Sequence, residues 1–133
     1  MQLNLSREQI EFLPIHDAEL HNLSIIQTVA GNYILLLDVE ITDDSYDPGY
    51  PIPKKNGLTR IIFKNCWGIM NDLKCHCVDR DTIQGIDMIK DSNLISEMES
   101  KGIKPPIPVY HYRISLNSGS QIDVVLEEII LEG

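Results

Sequence analysis

Residues 23–41 read "LSIIQTVAGNYILLLDVEI", and this stretch decides the fold. Two apolar runs, Leu23–Val29 and Tyr33–Ile41, flank "AGN", a glycine-bearing turn between strong strand formers. In the second run Tyr33, Leu35, Leu37, Val39 and Ile41 share one face by period-2 spacing. Ile34 and Leu36 lie on the other face, where polar Asp38 and Glu40 follow. The stretch predicts a hairpin whose second arm starts buried on both faces and ends half exposed.

Upstream, "SREQ" sets Gln9 three residues after Ser6, the spacing of a capping box, and Pro14 ends the element. A helix of one or two turns is expected there. Downstream, Thr42–Gly57 ("TDDSYDPGYPIPKKNG") reads as a long loop, because three prolines and two glycines interrupt any apolar period. "LTRIIFKNCWGI" (58–69) is a strand and "DLKCHCV" (72–78) a shorter one. Between Asp81 and Ser100 the pattern turns helical. Ile83, Ile86, Met88 and Ile89 suit one helix, and "DSN" (Asp91–Asn93) caps a second that carries Leu94, Ile95 and Met98. After the stiff connector "KGIKPPIP", the strands Val109–Leu116 and Gln121–Leu131 form a terminal hairpin across "NSGS", with Gly119 available for positive φ. Strand–helix alternation is absent, so a parallel doubly wound sheet is not expected. Residues 1–133 read as a single α+β domain. Its sheet is mostly antiparallel, with a short N-terminal helix and one helical insertion before the C-terminal β-hairpin.

The chain has 133 residues, 43% hydrophobic and 23% charged, with a net charge of −9. That charge disfavours nucleic acid and anionic membrane, both of which need clustered Lys and Arg, and suits a basic protein partner. No apolar run is long enough to span a bilayer and no signal-peptide layout is present. Three cysteines, an odd number, point to free thiols, and together these features suggest a cytoplasmic protein.

"IHDAEL" (15–20), followed by His21, tempts with metal or acid–base chemistry. The histidines stand five residues apart, so neither a strand nor a helix gathers them into a ligand set. His16, Asp17 and Leu20 are therefore expected to be structural, with His16 and Asp17 bonding nearby backbone. In "CHC" (75–77) a strand would put Cys75 and Cys77 on one face and His76 on the other. Convergence of Cys66 and His111 with them stays open. Nucleophile elbows, phosphate loops and calcium loops do not occur, so no catalytic, cofactor or metal residues are assigned and the chain is read as non-enzymatic. The long loop places Asp43, Asp44 and Asp47 around Tyr46 and before Tyr50, a composition suited to binding a basic partner.

"IHDAEL", then "LSI", the strand "YILLLDVE", a loop and "LTRIIFKNC" together resemble a group of small bacterial proteins. These begin with an aromatic or aliphatic residue, His-Asp, a small residue, any residue, then Leu or Ile. The resemblance covers roughly residues 12–65, and Ile15 stands where an aromatic is often found. Several members are associated with polymorphic-toxin loci and are classed as immunity proteins, while many are uncharacterised. The resemblance implies a protein-binding module that neutralises a toxin domain, and it carries over no catalytic residue. Two other readings remain: a metal-dependent or thiol hydrolase using His16, Asp17, His21 and the cysteines, and a subunit that self-associates through exposed sheet edges.

Overall fold

The structure is a computed structural model describing residues 2–41, 57–74 and 80–133. It is mostly antiparallel sheet with two short helices. The elements are β1 (Gln2–Asn4), α1 (Arg7–Glu11), β2 (Glu19–Gln27), β3 (Tyr33–Glu40), β4 (Leu58–Asp72), β5 (Ile83–Met88), α2 (Asn93–Ser100), β6 (Tyr110–Leu116) and β7 (Gln121–Glu132). Pairing runs β2-β3-β4-β7-β6-β5, with β1 beside the far end of β7. The two ends of this order then meet. Asp17 N–H donates to the Ile83 carbonyl (2.7 Å), Ile83 N–H to Ala18 (2.9 Å) and Leu20 N–H to Asp81 (2.8 Å), and Glu19 bridges Thr82.

The curled sheet encloses the core. Leu35, Leu37 and Val39 on β3 meet Phe63 and Ile61 on β4, and these meet Ile129 and Leu131 on β7. Ile114, Ile122, Val124 and Leu126 extend the core, and Ile10, Ile15 and Ala18 are buried with it. The hairpin read from the sequence is present, with Leu35, Leu37, Val39 and Ile41 buried as the spacing requires. Tyr33 is the exception, because it lies at the tip, beyond the enclosed region. The capping box is formed as predicted. Gln9 N–H donates to Ser6 Oγ (3.2 Å), and Ser6 N–H donates to Gln9 Oε1 (2.9 Å).

The first helix expected between Asp81 and Ser100 is absent; residues 83–88 are strand β5. The cause is a β-bulge. Ile83 faces Leu116 but Gly85 faces Ser115, so Gln84 is an extra residue with no counterpart on β6. The bulge resets the alternation, placing Ile83 and Ile86 both inside. Their three-residue spacing imitates a helix. The second helix is as read, with Ser92 as N-cap. It lies outside the barrel, and Met98 Sδ would stand 3.2 Å from a Cβ added at Gly68, so this glycine is what lets α2 lie close to β4. A Schellman motif ends the helix. Gly102 takes φ +79, its N–H reaches the Glu99 carbonyl (3.0 Å), and Ile103 N–H reaches Met98 (3.0 Å). The terminal hairpin turns through Gly119 at φ +94. Within the described residues, no helix is long and apolar enough to cross a membrane.

Candidate protein-binding groove and the polar clusters

Strand β4 carries two further irregularities, and they lie beside one of the surface grooves. Against β3 the register slips between Tyr33 and Leu35, where Asn65 sits at φ +54. Against β7 it slips between Cys66 and Gly68, so Trp67 is the extra residue. A bulge re-aims the side chain it carries, and the one Trp of the chain is the residue re-aimed here. Its indole N–H donates to Glu127 Oε1 (3.1 Å), while Asn65 Nδ2 donates to Glu127 Oε2 (2.9 Å). Thr28 in turn bonds Asn32 in the β2–β3 turn. Trp67, Tyr33, Asn32 and Ile103 line a groove of about 490 Å³. Ile103 is held there by the Schellman turn. The same hairpin exposes Ile25, Ile26 and, completely, Val29.

The Trp67 indole that lines the groove is held by a carboxylate, that of Glu127. Among the described residues both Glu127 oxygens meet neutral donors, so the charge is oriented without being neutralised. The Cys66 thiol beneath is buried and donates to the Phe63 carbonyl (3.2 Å). Burial pushes its pKa up to about 12, so it stays protonated and inert at neutral pH.

The histidine–acid motif lies where the barrel closes. His16 Nδ1 is 2.8 Å from the Gln84 carbonyl, a group on the unpaired bulge residue of β5. Its Nε2 is 3.4 Å from Asp17 Oδ2, and Asn117 Nδ2 donates to Asp17 Oδ1 (3.1 Å). Asp17 holds φ +62 while its N–H bonds Ile83. Leu20 packs against the core. His16→Ala is expected to lower stability by about 0.5–1 kcal/mol, at the low end for a lost hydrogen bond because the side chain is 70% exposed. Urea titration measures it, and binding of a partner should not change.

Two more clusters appear that the sequence reading did not assemble. His111, Ser92, Asp123 and Arg113 form a chain on the outer side of β6 and β7. Ser92 Oγ and His111 Nδ1 are 2.6 Å apart, His111 Nε2 and Asp123 Oδ1 2.7 Å, and Arg113 Nε donates to the same oxygen (3.0 Å). In the neutral ring the proton sits on Nε2, facing the carboxylate, and Nδ1 accepts from Ser92. The order serine–histidine–aspartate is that of a nucleophilic triad. Here, however, Ser92 and His111 are buried and Ser92 Oγ also accepts the Ile95 N–H (3.1 Å) as helix cap. The chain therefore ties α2 to the sheet.

The other cluster is Glu19, His21 and Glu40 on β2 and β3. His16, Asp17 and His21 do not share one ligand set, because His21 bonds Glu40 (3.1 Å) while His16 bonds β5. Cys75 and Cys77, and the loop residues Asp43, Asp44, Tyr46, Asp47 and Tyr50, lie outside the described residues. The sequence holds a lone Trp in "NCWGI" and the turn "AGN", but nothing in either showed that they line one groove.

No protein-family model matches the chain, and neither a curated protein nor a solved structure matches it.

Proposed function

We propose that the chain is a protein-binding module that docks a basic, apolar-tipped partner into the Trp67 groove. The carrying observation is the groove itself: two aromatic residues, Trp67 and Tyr33, beside Ile103, with the Trp67 indole held by the Glu127 carboxylate, on a hairpin that exposes Ile25, Ile26 and Val29. Binding energy concentrates on Trp and Tyr anchors that become buried when a partner docks. A cationic side chain of the partner would neutralise Glu127, and the net charge of −9 would speed its approach. The resemblance of residues 12–65 to immunity proteins supports a toxin domain as the partner, since covering a basic active site is how such an inhibitor would act.

The test starts with affinity capture from the source cell, comparing wild type with Trp67→Ala and Val29→Glu, and continues with the recovered partner in purified form. Trp67→Ala is expected to weaken its binding about 30-fold or more, the loss of a hot-spot anchor worth about 2 kcal/mol. Val29 makes no buried contact, so Val29→Glu leaves the fold alone and should also weaken binding. A partner that binds both variants as tightly as wild type would move the interface elsewhere. A second reading, self-association, is favoured by one observation: among the described residues Asn22–Gln27 of β2 has no strand on its outer side, and it carries neither charge nor proline. A stable dimer in light scattering, dissociated by Val29→Glu or Ile26→Lys, would put that reading first.

A further inference from the structure

We propose that Glu19, His21 and Glu40 form a binding site for a divalent transition-metal ion of the zinc class. Three independent features of the backbone build it. Glu19 and Glu40 stand directly opposite each other across the β2–β3 ladder, a pairing of like charges that costs stability when nothing lies between them. The register then slips from Leu20 opposite Val39 to Asn22 opposite Asp38, making His21 an extra residue. That bulge turns its ring back toward the two carboxylates. Finally, Glu19 bridges Thr82 where the sheet closes, so the ligands stand on backbone fixed from both sides.

The spacing suits a small tetrahedral ion. Metal–ligand bonds of about 2.1 Å at tetrahedral angles put neighbouring ligand atoms roughly 3.4 Å apart. His21 Nε2 lies 3.1 Å from Glu40 Oε2 and 3.7 Å from Glu19 Oε2, bracketing that value, and all three ligand atoms fall within 4.8 Å of one another. One imidazole and two carboxylates balance the +2 charge, and imidazole selects zinc and its neighbours over calcium, which takes six to eight oxygens. The neighbouring acid Asp38 is engaged by Arg60 (2.8 Å) and so stands outside the set. Three protein ligands leave a fourth position for water. His21, 23% exposed, leaves the site within reach of solvent ions.

Calorimetry and native mass spectrometry with zinc alone test the assignment on the full chain, with cobalt as a spectroscopic substitute. The expected result is one ion per chain and a cobalt spectrum without sulfur-to-metal charge transfer. Binding should persist in Cys75→Ser/Cys77→Ser, and His21→Ala and Glu40→Gln should each weaken it at least tenfold. Circular dichroism confirms that each variant is folded, and Glu19→Gln, at a ligand more exposed than His21, serves where His21→Ala is not folded. Absence of saturable binding to wild type would overturn the site. So would zinc that follows the cysteines, or zinc that binds the folded histidine variant as tightly as wild type.

Discussion

Phe63→Ala is expected to cost about 3–5 kcal/mol, against a total folding stability of about 5–15 kcal/mol for an ordinary domain. Phe63 is fully buried on the inner side of β4, directly across from Leu35 on β3 and Ile129 on β7. Three strands thus converge on one ring. Its removal forfeits the transfer free energy of the side chain and leaves a cavity that a hydrogen-bonded barrel wall cannot collapse to fill. Phe12 is the control, being 68% exposed; its change to alanine should fall within about 0.5 kcal/mol. The urea midpoint should drop for Phe63→Ala with an unchanged slope. A cost below about 1 kcal/mol would mean that the core is not centred on this residue.

Phe63 also shows where sequence reading succeeds. It lies inside "RIIFK", whose alternation with Ile61 predicts strand and inward face together, and the structure keeps both. The same holds for "YILLLDVE", for the Ser6 capping box and for the terminal hairpin, where each local preference agrees with the fold. The misread strand and the missed side-chain positions share one cause. Bulges insert single residues, and period-2 counting cannot see an insertion that depends on which strand lies alongside. The Gln84 bulge made β5 read as a helix, and those at Trp67 and His21 aimed two chemically informative side chains at partners distant in sequence. Barrel closure was equally invisible, since it joins Asp17–Leu20 to Asp81–Ile83 by backbone hydrogen bonds that no side-chain pattern encodes. The role of His16 beside the Gln84 carbonyl follows only once both the bulge and the closure are known.

Asp123→Ala is the second large effect, and it separates a polar chain that anchors α2 from one that is incidental to stability. Asp123 Oδ1 accepts from both His111 Nε2 and Arg113 Nε. Arg113 is 40% exposed, so water can replace its lost partner. His111 is almost fully buried, and its Nε2 proton would face no acceptor. Stranding a buried donor costs about 1–3 kcal/mol, and the upper end is expected here because the ring also positions Ser92. Ser92 is the N-cap of α2, so the disturbance should pass to that helix rather than spread through the barrel. Amide exchange at Ile95–Ser100 should therefore accelerate more than exchange in β4 or β7. Asp123→Asn keeps an oxygen acceptor and should lose less. In a double-mutant cycle, His111→Ala and Asp123→Ala together should cost clearly less than the sum of the two, because once the donor is gone the missing acceptor strands nothing. Additive costs, with α2 exchanging as in wild type, would show that Asp123 acts on stability by some route other than this chain.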